Sequence, residues 1–118
     1  MAIVVGHLST VEGKEALAAA LTEARQRDTD VVVVSSGGET PQESAALASH
    51  LADAGLEHRV VEGTGDLADD LVRAASESGA ELIVIGLRRR SPVGKLILGS
   101  GAQRILLDAP CPVLAVKP

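Results

Sequence analysis

Four consecutive valines at residues 31–34 constrain the fold of this chain more than any other feature. Valine is branched at Cβ and favours an extended backbone. Successive side chains of a strand point to opposite faces of a sheet, so an unbroken apolar run needs cover on both faces. The run therefore predicts a central strand of a parallel sheet with helices packed on both sides.

Similar short apolar runs occur at residues 3–5, 82–85 and 113–116, and a more polar run at 57–61 is predicted to be an edge strand. Four stretches with apolar residues at helical spacing separate these runs. Right-handed crossovers join strands in such an alternation. At 118 residues the chain is long enough for one domain. We expect residues 1–118 to form a single α/β domain: an open, doubly wound, five-stranded parallel sheet in the order 3-2-1-4-5, with helices on both faces.

Each helical stretch opens near a residue whose side-chain oxygen can accept a hydrogen bond from the first helical turn. In the last helix, Ile105 and Leu106 are expected to carry the apolar face. The cap residues predicted for the four helices are Ser9, Thr40, Asp66 and Ser100, in chain order.

Composition narrows the range of ligands. The chain has no phenylalanine, tryptophan or tyrosine, and its formal net charge is −5 at pH 7. Proteins that bind single-stranded nucleic acid use aromatic platforms and basic grooves, so we expect no nucleic-acid partner. Any bound base must lie against aliphatic side chains and backbone. The single cysteine, Cys111, excludes an internal disulfide and a cysteine cluster for zinc, and we expect no bound metal centre.

The N-terminal segment runs directly into the first apolar strand, without a basic region or a long apolar stretch. Signal peptides and membrane spans need such features. We therefore expect a cytoplasmic protein without a membrane partner.

Two loops are the candidates for a binding site. In the expected strand order the first and fourth strands are neighbours, and ligands of doubly wound sheets bind at the carboxyl ends of the strands where the order reverses. The loop after the first strand starts at Gly6, and the loop after the fourth starts at Gly86. Gly99 and Ser100 then open a helix, and backbone N–H groups at a helix start suit phosphate.

The segment from Gly86 to Ser100 also resembles the signature of the universal stress protein family. That signature is glycine, two residues, glycine, nine residues, glycine, then serine or threonine. Residues 3–6, 13–17, 96–100 and 109–116 extend the similarity over nearly the whole chain. The resemblance implies a nucleotide-binding or stress-regulatory module, often a dimer, with ATP as ligand in some members, with or without Mg²⁺. It assigns adenine and ribose to Gly6, His7, Leu8 and Ser36, and phosphate to Gly86, Arg89, Gly99, Ser100 and Gly101.

Two positions depart from the pattern of the ATP-binding members. Leu8 occupies the place of an aspartate that accepts hydrogen bonds from the ligand, and Arg89 occupies the place of the middle glycine. A lost hydrogen bond lowers affinity by roughly 0.5–1.5 kcal/mol. Arg89 either blocks the approach of phosphate to the backbone or clamps the phosphate with its guanidinium group.

Three functions remain open from the sequence. The first is a small stress-response module that binds ATP or another adenine nucleotide. The second is a dimeric interaction protein that has lost nucleotide binding, as Leu8 and Arg89 suggest. The third is an enzyme in the same crevice, but no catalytic constellation is present in the sequence, and we expect no enzymatic activity. We also expect homodimerisation through the apolar C-terminal strand, residues 113–116, which the strand order places at a sheet edge.

Overall fold

The computed structural model describes residues 1–8, 10–36, 39–87 and 99–117. Five strands form one sheet in the order β3-β2-β1-β4-β5, and every neighbouring pair is parallel. The predicted fold class and strand order are confirmed. The elements, in chain order, are β1 (Ala2–His7), α1 (Val11–Arg27), β2 (Asp30–Ser35), α2 (Pro41–Asp53), β3 (His58–Glu62), α3 (Leu67–Ser78), β4 (Leu82–Gly86), α4 (Ser100–Asp108) and β5 (Val113–Val116).

The core has two layers, one on each face of the sheet. Ile3 and Val5 of β1 lie in the layer formed with α1 and α2, whereas Val4 lies in the layer formed with α3 and α4. The four valines of β2 divide in the same way and are all buried. This alternation is the reason why consecutive residues in the middle of the central strands are apolar.

The strand β3 is an edge strand, as its polar sequence predicts. It begins one residue later than predicted and extends to Glu62, because its register with β2 pairs Val31 with His58 and Ser35 with Glu62. Most of its side chains are exposed. The pairing with β2, rather than hydrophobicity, therefore sets the limits of this strand.

Thr40 and Asp66 cap α2 and α3 as predicted, by accepting hydrogen bonds from the backbone N–H groups of Glu43 and Asp69. The predicted cap at Ser9 is wrong. The N-cap of α1 is Thr10, whose extended backbone (φ −82°, ψ 166°) lets its hydroxyl accept from the Gly13 N–H at 3.2 Å. Ser9 itself lies outside the described residues.

The helix α4 differs from its prediction at two points. Its N-cap is Gly99, which is extended (φ −71°, ψ 167°) and makes no side-chain cap, so Ser100 is the first helical residue and not the cap. Ile105 is buried, but Leu106 is 45% exposed and Leu107 is 84% exposed. Only one leucine-sized side chain of this short helix therefore reaches the core.

Candidate functional site

A cleft of about 490 Å³ lies at the carboxyl ends of β1 and β4. These strands are the point where the sheet order reverses, since β2 flanks β1 on one side and β5 flanks β4 on the other. The volume is within the range of about 300–1,000 Å³ that is usual for small-molecule sites. The position is the one that the sequence predicts for a ligand site.

The structure brings six of the nine predicted site residues together in this cleft. His7 and Ser36 do not line it; they meet beside it through a third residue. Arg89 lies outside the described residues. The six that line the cleft are Gly6, Leu8, Gly86, Gly99, Ser100 and Gly101.

Two glycines allow the chain segments around the cleft to approach closely. A Cβ atom on Gly86 would lie 2.2 Å from the carbonyl oxygen of Glu12, and a Cβ atom on Gly6 would lie 3.0 Å from Cδ1 of Leu67. The first distance is far too short for any side chain, because a backbone atom cannot move aside easily. Gly86 therefore fixes the contact between the end of β4 and the first turn of α1.

The N-terminus of α4 forms one end of the cleft, through Gly99, Ser100 and Gly101. The first N–H groups of a helix have no acceptor inside the helix, and Gly99 has no side chain that could serve as one. These N–H groups and the positive end of the helix dipole make this end of the cleft suited to an anion.

The remaining surface of the cleft is largely aliphatic. Leu67, Ala68 and Leu71 of α3 form one side, and Leu8 and Thr10 lie near the start of α1. Of the described residues that line the cleft, Glu12 is the only one with an acidic or basic side chain. The cleft can thus hold an apolar or planar group at one end and an anion at the other.

Sequence reasoning missed the contributions of α1 and α3 to the cleft. The available signal was topological, since the first turn of α1 follows β1 at the same edge of the sheet. Asp70 of α3 was also missed. It is 6% exposed, and its carboxylate accepts hydrogen bonds from the backbone N–H and the hydroxyl of Thr64, both at 2.8 Å. It thereby holds the loop that leads into the α3 side of the cleft.

His7 and Ser36, at the ends of β1 and β2, are joined by Glu39. Oε1 of Glu39 accepts from the N–H of Ser36 at 2.8 Å and from its hydroxyl at 3.0 Å, and it lies 3.2 Å from Nδ1 of His7. The side chains of His7 and Glu39 are 15% and 8% exposed. Nothing in the sequence pattern marked Glu39, because its contact with His7 spans 32 residues.

The hydrogen bonds to Glu39 keep its carboxyl group ionised. Burial acts to raise the pKa of this group, but hydrogen bonds from Ser36, from its own backbone and from His7 outweigh burial and lower the pKa from 4.5 to about 2. Glu39 is therefore a carboxylate at neutral pH, and it can only accept hydrogen bonds.

Fold and cleft together define a class: a small doubly wound α/β domain with a glycine-rich, ligand-sized cleft at its topological switch point. Residues 1–117 match the model of the universal stress protein family. The chain belongs to the universal stress protein family.

The relatives support this assignment over the full length. A universal stress protein of Mycolicibacterium smegmatis is 40% identical, with 98% of this chain and 97% of the relative covered. A universal stress protein of Archaeoglobus fulgidus is 34% identical and superimposes with a TM-score of 0.78, covering 99% of this chain and 98% of its own.

Two further solved structures contain ligands. A universal stress protein of Archaeoglobus fulgidus in complex with dAMP is 29% identical, with a TM-score of 0.68 and coverage of 99% of this chain and 98% of its own. A universal stress protein in complex with cAMP is 25% identical, with a TM-score of 0.72 and coverage of 99% of this chain and 96% of its own.

Within the part of the chain that the structure describes, no helix combines the length and the apolar character needed to cross a membrane. In the same residues, no group of three or more histidine, cysteine, aspartate or glutamate side chains could hold a metal ion.

Proposed function

We propose that this protein binds an adenine nucleotide in the cleft between the ends of β1 and β4. The main support is one observation. The start of α4, at Gly99 to Gly101, has no side-chain cap and lies in an aliphatic cleft at the switch point of the sheet. The helix start suits the phosphate, and the aliphatic surface suits the base and sugar.

The strand order suggests how the nucleotide lies. The phosphate end is beside β4, where Gly86 and the start of α4 meet. β1 separates β4 from β2, so a nucleotide that begins at α4 extends across β1 toward the end of β2. The base then lies near Gly6, Leu8 and the His7–Glu39–Ser36 group.

The relatives of known structure support an adenine nucleotide in particular. The ligands in the two complexes are dAMP and cAMP, which share the adenine base and a phosphate. Both proteins superimpose on nearly all of this chain. The absence of aromatic residues here requires that the adenine pack on aliphatic side chains, which the α3 side of the cleft supplies.

ATP, with Mg²⁺ bound through its phosphates, is the specific ligand that we propose. The basic residues that follow Gly86 in the sequence, at positions 88–90, all lie outside the described residues, so a role for Arg89 rests on the sequence alone. If Arg89 clamps phosphate, Arg89→Ala should weaken ATP more than adenosine, by roughly 1.5–3 kcal/mol. If Arg89 obstructs the site, Arg89→Gly should instead tighten ATP.

We also propose that the protein acts as a cytoplasmic stress-response module rather than as an enzyme. A hydrolase or transferase needs a positioned base or nucleophile. Among the described residues that line the cleft, Glu12 alone could serve as a base, and no partner that would activate a nucleophile accompanies it. Nucleotide occupancy, rather than turnover, would then be the signal.

Calorimetric titration of nucleotide-free protein tests the proposal. ATP, AMP and adenosine are titrated separately, each with and without Mg²⁺. We expect binding of both nucleotides and weaker binding of adenosine, because adenosine lacks the phosphate that α4 receives. No heat and no thermal shift at millimolar nucleotide would overturn the proposal.

A second candidate is a dimeric interaction module that has lost nucleotide binding, and the edge strand β5 supports the dimer on which this candidate depends. This strand carries no charged residue between Val113 and Val116, whereas the opposite edge, β3, contains His58, Arg59 and Glu62. Charged side chains protect an edge from pairing, and β5 lacks that protection. We propose a homodimer in which two copies of β5 pair about a two-fold axis.

A further inference from the structure

The contact between His7 and Glu39 determines which nitrogen of the His7 ring carries a proton. Glu39 is a carboxylate and can only accept a hydrogen bond, so Nδ1 of His7, which lies 3.2 Å from Oε1, must carry a proton. In a neutral imidazole ring only one nitrogen is protonated. In the neutral ring, therefore, Glu39 fixes the tautomer with the proton on Nδ1, and Nε2 of His7 is the hydrogen-bond acceptor.

The free nitrogen is accessible to a ligand. His7 makes its hydrogen bond within the described residues through Nδ1. In this part of the chain, no buried side-chain nitrogen or oxygen lacks a hydrogen-bond partner. Nε2 therefore reaches solvent at the carboxyl end of β1, although the ring as a whole is only 15% exposed.

His7 lies beside the end of the cleft to which we assign the base, although its own side chain does not line the cleft. Its chain neighbours, Gly6 and Leu8, both line the cleft. The ring lies on the side of β1 that faces β2, because Glu39 joins it to Ser36 at the end of that strand. This is the side away from β4 and α4, where the phosphate would lie.

We propose that Nε2 of His7 accepts a hydrogen bond from the exocyclic amine of adenine, and that Glu39 is the positioning residue that holds the ring in the accepting tautomer. The inference rests on the proposed nucleotide binding and adds selectivity to it. Hypoxanthine and guanine carry a carbonyl oxygen where adenine carries this amine. That oxygen is a hydrogen-bond acceptor and would face Nε2 of His7, which is also an acceptor, so no hydrogen bond could form. The site thus selects adenine over 6-oxopurines.

AMP and IMP form the matched pair of ligands for the test, because their purine rings differ only in the amine-to-carbonyl exchange and the accompanying proton. One hydrogen bond of this kind corresponds to a preference of about fivefold for AMP. His7→Ala should abolish the preference while leaving the phosphate end intact. Binding of ribose 5-phosphate, which has no base, should be unchanged.

Variants of Glu39 separate positioning from simple loss of structure. Glu39→Gln retains an oxygen that accepts from Ser36 and His7, so the preference for AMP should remain. Glu39→Ala removes the acceptor, frees the tautomer and should bring the AMP-to-IMP ratio close to one. Glu43→Gln, the same exchange at an exposed position in the first turn of α2, is the control and should behave as the unmodified protein.

Nitrogen-15 spectra of His7 provide a measurement that needs no variant and that begins on the free protein. In the free protein with a neutral ring, we expect the proton on Nδ1, and added AMP should then shift the Nε2 signal. A proton on Nε2 would overturn the inference directly. So would an AMP-to-IMP ratio that is close to one or unaffected by His7→Ala, while AMP still binds. Failure of AMP to bind at all would instead remove the proposed function and this inference together.

Discussion

Gly86 is the residue with the least tolerance for a side chain in the described part of the cleft. Its missing Cβ atom would lie 2.2 Å from the carbonyl oxygen of Glu12. Because that oxygen belongs to the first turn of α1, a side chain here would push a helix, and not merely a neighbouring side chain, away from the sheet. The value of glycine at this position is close approach rather than an unusual backbone conformation.

Gly86→Ala should therefore lower the free energy of unfolding by about 1–3 kcal/mol, the usual range for overpacking. Gly101→Ala is the matched control, since its Cβ would have its nearest neighbour at 4.0 Å and alanine favours a helix. Urea denaturation measures both. Equal stabilities of the two variants would contradict the packing described around Gly86.

The lowered pKa of Glu39 predicts how the free energy of unfolding depends on pH. Its pKa is lowered from 4.5 to about 2 in the folded protein, so the unfolded chain binds a proton more readily than the folded one. The stabilisation from this group is complete above about pH 4.5 and is lost as the pH falls toward 2.

Thermal denaturation of the unmodified protein and of Glu39→Gln over this pH range measures the effect. The advantage of the unmodified protein should shrink steadily as the pH decreases, because the glutamine does not titrate. A difference between the two proteins that stays constant from pH 5 to pH 2.5 would mean that the carboxyl group is not held as an anion.

At the scale of elements, the first turn of α4 affects both the stability of the helix and the proposed binding of phosphate. Ser100→Asp places a carboxylate in the first turn, where the helix dipole stabilises a negative charge. The same charge repels the phosphate that we propose to bind there. The variant should thus be at least as stable as the unmodified protein and bind ATP more weakly, by tenfold or more, on the order of 1.4 kcal/mol.

The control for this variant is Gln103→Glu, which adds the same charge one turn later, outside the lining of the cleft. Its affinity for ATP should change little. Calorimetry gives the affinities and thermal denaturation gives the stabilities. An unchanged affinity in Ser100→Asp would show that the phosphate does not lie at this helix.

The elements also show which parts of the architecture the sequence determines. Four short unbroken apolar runs and one more polar run, alternating with helical stretches, were sufficient to predict all five strands, and the doubly wound topology predicted their order. The cap of α4 was not predictable, because Gly99 and Ser100 both suit the position and the choice depends on the backbone dihedrals. Leu106 was misassigned because a helix of nine residues is too short for its apolar period to show which side faces the core.

The candidate site also contains some residues that the sequence predicts and others that it does not. Gly6, Gly86 and the start of α4 were predictable, because strand order and glycine spacing place them at one edge of the sheet. The contact between His7 and Glu39 joins two loops that are distant in sequence, and no local pattern reports such a contact. Asp70 lies in the first turn of α3, where acidic residues are common, so its burial and its bonds to Thr64 depend on the fold and leave no signal in the sequence.

For the whole molecule, the pattern of backbone hydrogen bonds in β5 determines how a dimer could form. The carbonyl groups of Pro112 and Val116 accept from Ile83 and Leu87, so alternate residues of β5 bond to β4. The backbone groups of Val113 and Ala115 then face the open edge. Leu107, which is 84% exposed on the helix leading into β5, adds apolar surface nearby.

Ala115→Pro should therefore convert the dimer to a monomer without loss of secondary structure, because it removes an outward-facing donor and no bond to β4. Leu114→Pro should disturb the sheet itself, since Leu114 bonds inward. Val60→Pro, on the opposite edge strand, is the control and should leave the dimer intact. Light scattering and circular dichroism give the outcome, and a dimer that persists in Ala115→Pro would exclude β5 as the contact.

The central claim is that the start of α4 receives the phosphate of an adenine nucleotide. A titration of nitrogen-15-labelled protein with AMP, followed through the backbone amide signals, tests it most directly. We predict that the amide signals of Ser100 and Gly101 shift progressively and saturate, and that adenosine, which lacks the phosphate, leaves them nearly unchanged. AMP-induced shifts that avoid these two residues, or shifts of equal size with adenosine, would contradict the account.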